Sequence, residues 1–310
     1  MRVIFMGTPE FAVPALRALV RAGHEVPLTV TQPDRPRGRK AAPAPPPVKT
    51  VAREMGLAVT QPERMTEPGV LETLRDARPD AIVVVAFGHI LRREVLALPP
   101  RGCINGHASL LPRYRGAAPI QWAIANGETV TGVTTMLMTE GLDSGPILLQ
   151  RELAIAPDDT GGSLHDKLAP MAAELIVETL AGLAAATIVP NPQDHALTTY
   201  APMLKKEDGK IDWAMPAASL ALFVRAFDPW PGTYTFMHGA QLKITKAGVG
   251  GGRKEGTPGT VLAADKDGIV VACGEGSLSI LELQPAGKRR MKAAEFLAGH
   301  PLHPGDRLGV

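Results

Sequence analysis

Asn105 and His107 stand two residues apart in Cys103-Ile104-Asn105-Gly106-His107, at the end of a stretch that reads as a β-strand. Side chains alternate along a strand, so both leave by one face, separated by about 7 Å of backbone. An amide N–H and an imidazole that converge on one atom can hold the oxyanion formed when an acyl group moves to an amine. A plainer role is open to both: Asn105 capping the following loop, and His107 as a satisfied, partly buried polar side chain. Asp143 sits in Gly141-Leu142-Asp143-Ser144-Gly145, a turn just after a strand. A carboxylate there can approach the same sheet edge, favour the charged imidazole and fix its tautomer. An Asp between glycines is also an ordinary turn residue. Ser109-Leu110-Leu111-Pro112 and Arg113-Tyr114-Arg115-Gly116 follow His107 directly, beyond the carboxyl end of its strand, where open α/β sheets take ligands. The alternative for this segment is a long loop with solvated arginines.

These residues need a sheet to hold them. Apolar runs predict strands over residues 2–6, 25–31, 81–85, 102–107 and 130–138, and helical periodicity predicts helices over 11–22, 48–55 and 68–75. Ala81-Ile82-Val83-Val84-Val85 has no polar alternation, which suits a strand covered on both faces of a parallel sheet. The expected class is α/β, a Rossmann-like doubly wound, mostly parallel sheet. Residues 163–183 predict a longer closing helix with Ser163 as its cap. Gly7-Thr8-Pro9 after the first strand resembles half of a phosphate cradle, but no G-x-G-x-x-G follows, which argues against a dinucleotide.

Past residue 185 the pattern lapses into Pro190, Pro192 and polar residues, as an inter-domain connection does. The expected division is therefore a catalytic domain over 1–185, a linker over 186–203 and a second domain over 204–310. That second domain has one apolar helix over 217–227 and evenly spaced short strands, which predicts an OB-like β-barrel. Trp213 and Trp230, each in apolar context, read as packing anchors.

The chain has 310 residues, 45% of them hydrophobic and 21% charged, enough for two folded cores. No apolar run reaches the roughly 18 residues that span a bilayer, and the amino terminus enters a strand at once. Only Cys103 and Cys273 occur, far apart, so neither a disulfide framework nor a cysteine-rich zinc site is expected. A cytoplasmic protein follows. Net charge is only +2, but two basic clusters stand out. Asp34, Arg35, Arg37, Arg39 and Lys40 lie on a Pro-stiffened loop, and Lys288, Arg289 and Arg290 lie in the second domain. Either can contact phosphates or stay a solvated basic loop.

Residues 105–119, with Thr131-Gly132-Val133-Thr134 and Gly141-Leu142-Asp143-Ser144-Gly145, resemble the signature of the folate-dependent formyltransferases. Flanking pieces extend the likeness nearly end to end: Gly7-Thr8-Pro9-Glu10-Phe11, Thr31-Gln32-Pro33-Asp34-Arg35-Pro36, Val84-Val85-Ala86-Phe87-Gly88, Pro229-Trp230-Pro231 and Leu283-Gln284-Pro285-Ala286-Gly287-Lys288. The resemblance implies Asn105, His107 and Asp143 as the catalytic trio and 10-formyltetrahydrofolate as formyl donor. It also implies a pterin pocket under backbone near Phe87, Gly88, Ile90 and the turn at Glu140, with Ser109, Leu110, Leu111 and Pro112 shaping the path of the formyl-bearing arm. The implied acceptor is methionine on an initiator tRNA. Arg39 matches the arginine that reaches into the tRNA end, and Arg35, Arg37, Lys40, Lys288, Arg289 and Arg290 are implied tRNA contacts. A monomer holding no metal is expected. Gly106 departs from the family, which has a branched apolar residue there, so the strand end is expected to be looser. Competing readings are a small-amine formyltransferase, a formyltetrahydrofolate hydrolase, a catalytically silent RNA-binding module and a Rossmann dehydrogenase.

Overall fold

The computed structural model describes residues 1–36, 42–251 and 256–309. Seven strands build the first sheet: β1 (Val3–Gly7), β2 (Thr29–Val30), β3 (Val59–Thr60), β4 (Ala81–Val85), β5 (Cys103–His107), β6 (Val130–Leu137) and β7 (Ile147–Ala154). Their spatial order is β7-β6-β5-β4-β1-β2-β3. The run from β3 to β5 is parallel, while β6 pairs antiparallel with β5, and β7 with β6. All five residues of β1 and of β4 are buried, which accounts for their unbroken apolar sequence. The Rossmann-like, mostly parallel α/β sheet expected from the sequence is present.

Helices α1 (Val13–Arg21), α2 (Pro47–Glu54), α3 (Val70–Asp76), α4 (Arg93–Leu96), α5 (Pro119–Ala125) and α6 (Gly161–Ala184) intervene between or follow these strands. In α1, α2 and α5 a proline occupies the first turn, where a missing N–H costs no hydrogen bond. Two local expectations need correction. The strand expected over 25–31 shortens to Thr29–Val30 plus an isolated Arg2–Glu25 bridge, because Pro27 between them has no N–H for the ladder. Ser163 lies inside α6 and does not cap it. Thr160 does so, its Oγ1 accepting the Ser163 N–H at 3.1 Å while Ser163 Oγ accepts the Thr160 N–H at 3.0 Å.

The chain forms two compact units, one of Met1–Gly116, Val130–Ala154 and His165–Ala201, the other of Ala117–Thr129, Ile155–Leu164 and Pro202–Val310. In the second, α7 (Ala217–Ala226) packs on α5, with the rings of Trp122 and Phe227 edge to face at 6.1 Å. Its antiparallel strands are β8 (Thr233–Met237), β9 (Ala240–Val249), β10 (Val261–Asp265), β11 (Gly268–Ala272) and β12 (Ser277–Pro285), ordered β8-β9-β12-β11-β10. Strand β13 (Met291–Lys292) pairs with β12 and leads into α8 (Ala293–Gly299). Alternate residues Leu242 and Ile244, Ile269 and Val271, and Leu278 and Ile280 join Leu220, Val224 and Phe296 in one core. Trp213 belongs to that core, its Nε1 donating to Thr235 Oγ1 at 3.1 Å, whereas Trp230 is 55% exposed and is no packing anchor. Among the described residues no helix is long and apolar enough to cross a membrane.

Candidate active site

Strand β5 has two unlike faces. Gly106 turns away from Asn105 and His107, and a Cβ on it would stand 2.9 Å from Cδ1 of Ile176 in α6. The space a branched side chain would take is therefore held by fully buried Ile176, and the strand end is packed where it was expected to be loose.

On the opposite face Asn105 and His107 meet Asp143. Because β6 runs antiparallel to β5, with Leu137 beside Ile104, the segment after β6 starts near the beginning of β5. It then returns toward the end of β5, where the Asp143 carboxylate meets the side chains of Asn105 and His107 and the backbone of Gly116. Glycine makes that return possible: a Cβ on Gly145 would lie 1.7 Å from the carbonyl oxygen of Leu137. Asp143 itself sits at φ +45°, in the left-handed region that costs an L-residue energy.

Asn105 Nδ2 donates to Asp143 Oδ1 at 3.3 Å, and His107 Nδ1 lies 3.7 Å from Asp143 Oδ2. The backbone N–H of Gly116 donates to Oδ2 at 2.8 Å. His107 Nε2 lies 2.9 Å from the carbonyl oxygen of Tyr114, which can only accept, so Nε2 carries a proton. His107 and Asp143 are 7% and 14% exposed in their side chains, shielded without being sealed. An amide donor, an imidazole and a carboxylate thus share one small region, the arrangement needed to stabilise a developing oxyanion and to move a proton beside it.

The residues expected along the folate path divide by burial. Ser109 and Leu111 are buried and tied down: Ser109 Oγ donates to the Arg113 carbonyl at 2.7 Å, and Leu111 N–H to Thr134 Oγ1 at 3.0 Å. Gln150 adds a bond to the Leu111 carbonyl at 2.9 Å. Leu110 and Pro112 are partly exposed, and Glu140 is exposed. The Phe87 ring is buried, and its carbonyl accepts from Gln32 Nε2 at 3.1 Å and Thr8 Oγ1 at 3.2 Å. Gly88 has φ +80°, and a Cβ there would meet Gln32 Nε2 at 2.5 Å. Ile90 is 87% exposed and Leu142 61% exposed. Burial lowers the pKa of His89, whose Nε2 is buried without a hydrogen-bond partner among the described residues.

Arg37, Arg39 and Lys40 lie outside the described residues. Arg35 is exposed and pairs with Glu63 at 2.5 Å. Lys288 is exposed, Arg289 pairs with Glu295, and Arg290 pairs with Asp228 at 3.1 Å and Glu282 at 3.4 Å. Arg115 is no solvated loop arginine: it is 4% exposed, bonded to the equally buried Gln193. Gln193 escaped the sequence reading because it stands between Pro192 and polar residues in a stretch that reads as a connection. Nothing local marks it as buried. Among the described residues no group of three or more His, Cys, Asp or Glu side chains is placed to hold a metal ion.

A family model described as "Formyl transferase" matches residues 1–180, and one described as "Formyl transferase, C-terminal domain" matches residues 203–301. A methionyl-tRNA formyltransferase of Trichlorobacter lovleyi is 54% identical over 307 residues, 99% of this chain and 96% of that protein. Another, of Citrifermentans bemidjiense, is 53% identical over 309 residues, 100% of this chain and 96% of that protein. Among solved structures, HypX from Aquifex aeolicus in complex with tetrahydrofolic acid is similar in fold at TM-score 0.62 and 18% identity, covering 100% of this chain and 51% of that one.

Proposed function

The chain belongs to the formyl transferase family, among its methionyl-tRNA formyltransferases, and from this we propose that it moves the formyl group of 10-formyltetrahydrofolate to the amino group of methionine on initiator tRNA. The observation that carries the mechanism is the Asp143 carboxylate, with one oxygen 3.3 Å from Asn105 Nδ2 and the other 3.7 Å from His107 Nδ1.

Asn105 and His107 in its imidazolium form, with a proton on each ring nitrogen, donate to the formyl oxygen as it gains charge on attack by the amine. His107 acts through Nδ1, because Nε2–H is committed to Tyr114, and 3.7 Å to Asp143 is too long for a direct bond that would occupy Nδ1. Asp143 takes the proton that the amine sheds as its nitrogen bonds to the formyl carbon. It returns a proton to the folate nitrogen as the old carbon–nitrogen bond breaks, so the exchange balances. Phe87, Gly88, Ile90, Ser109, Leu110, Leu111, Pro112 and Glu140 form the folate site in this reading. The fixed Phe87 carbonyl, the bare backbone of Gly88 and the uncovered Ile90 and Leu142 side chains suit a flat heterocycle that needs orientation more than charge pairing. Arg35, Arg37, Arg39, Lys40, Lys288, Arg289 and Arg290 are assigned to the tRNA backbone. The ion pairs of Arg35, Arg289 and Arg290 would be exchanged for phosphates on binding.

Incubating the protein with 10-formyltetrahydrofolate and methionyl initiator tRNA, beside free methionine and water alone, tests the reading. Formyl groups on the tRNA-borne methionine only are expected. Formylated free methionine, or formate released at the same rate without tRNA, would overturn the acceptor.

A further inference from the structure

We infer that Gln193 is a positioning residue, one that holds the Asp143 carboxylate where Asn105 and His107 can use it. The inference rests on the proposed role of Asp143. Gln193 is 6% exposed, and its amide uses all four of its hydrogen-bonding positions. Nε2 donates to the carbonyl of Asp143 at 2.9 Å and to that of Gly145 at 2.8 Å. Oε1 accepts from Arg115 Nε at 3.1 Å and from Arg115 Nη2 at 2.6 Å. Two carbonyls on one side and a guanidinium on the other permit only this orientation of the amide.

Asp143 needs such a hold. At φ +45° its backbone occupies a conformation that a non-glycine residue leaves unless its surroundings fix it. Gln193 grips the carbonyl of that very residue and of the residue two further on, which sets the direction in which the carboxylate leaves the chain. The far end of the clamp is equally fixed. Three consecutive residues each hold a different part of the site: the Tyr114 carbonyl takes His107 Nε2–H, the Arg115 guanidinium takes Gln193, and the Gly116 N–H takes Asp143 Oδ2 at 2.8 Å. That tripeptide is itself anchored, with Tyr114 N–H on Thr199 Oγ1 at 2.8 Å, Arg115 N–H on the Thr199 carbonyl at 2.9 Å, and Arg115–Gly116 paired in parallel with Tyr200–Ala201. Residues 193–201, expected as part of a linker, therefore brace the imidazole and the carboxylate together.

The test compares Gln193→Glu, Gln193→Met and Asp143→Asn, with each Gln193 variant also made in the Asp143→Asn background. Gln193→Glu keeps length and an acceptor for Arg115 but sets a carboxylate oxygen against two carbonyls. Gln193→Met keeps length without charge and guards against misfolding of the first variant. Either is expected to lower kcat about ten- to a hundredfold. The KM values for folate and tRNA should stay within about twofold, and neither variant should lower kcat further when Asp143 is already Asn. Full kcat in both Gln193 variants, or equal losses in the two backgrounds, overturns the inference and leaves the catalytic reading standing. Full kcat in Asp143→Asn alone overturns the catalytic reading, and this inference with it.

Discussion

Asn105 donates its side-chain amide to Asp143 across 3.3 Å, at the long end of the hydrogen-bond range, so the amide is oriented without being tightly held. It can turn one N–H toward a new acceptor at small cost. Removing an oxyanion donor costs roughly 3 kcal/mol, so Asn105→Ala should lower turnover about a hundredfold or more. Single-turnover formylation measures this directly, and a near wild-type rate would take Asn105 out of the mechanism.

Arg39 matches, in sequence, the arginine by which the family is expected to reach the tRNA end. Arg39→Ala is expected to raise the KM for charged tRNA while sparing folate affinity. Steady-state titration of each substrate separates the two, and an unchanged tRNA constant would take Arg39 out of tRNA recognition.

Asp34, which precedes Arg39 in sequence, is held by Gln61 and Lys49. A hydrogen bond from Gln61, followed by the buried ammonium of Lys49 at 2.7 Å from both carboxylate oxygens, lowers its pKa below the ordinary 3.8. A depressed folded-state pKa stabilises the fold above 3.8, and the stabilisation is lost as pH falls below that value and through the folded pKa. Gln61→Leu should therefore flatten the acid limb of stability against pH. Urea midpoints taken on both sides of pH 3.8 check it, and an unchanged slope would count against the pairing.

Burial pushes the Cys103 thiol up to about 12 and the Cys273 thiol up to about 11. Both should resist alkylation at neutral pH in the native protein and react together once it is unfolded, since the thiolate is the reactive form. Rapid native labelling of either would mean that its core opens more readily than the packing implies.

The strands were legible where composition left no choice. Val3–Gly7 and Ala81–Val85 are apolar on both faces and can be little else. Strand β7 was not, because Ile147-Leu148-Leu149-Gln150-Arg151-Glu152-Leu153 reads as well for a helix, and only pairing with β6 decides it. Asn105 and His107 were visible as a pair because strand periodicity puts them on one face. The approach of Asp143 was not, since it depends on a loop folding back across 38 residues of sequence separation. Gln193 lies further still from legibility, as its burial follows from two distant segments meeting and not from its neighbours.

Gly106 and Ile176 give the site a neighbour it does not touch. A methyl added at residue 106 would press on a branched aliphatic chain across the sheet, on the side away from the chemistry, while the polar pair either side of it stayed in register. Enlarging one residue and trimming the other form a single exchange of volume between strand and helix. Substitutions at these two positions should therefore be tolerated together more readily than apart, and a rate defect from Gly106→Val alone should be relieved by Ile176→Ala without any change to a group that meets substrate.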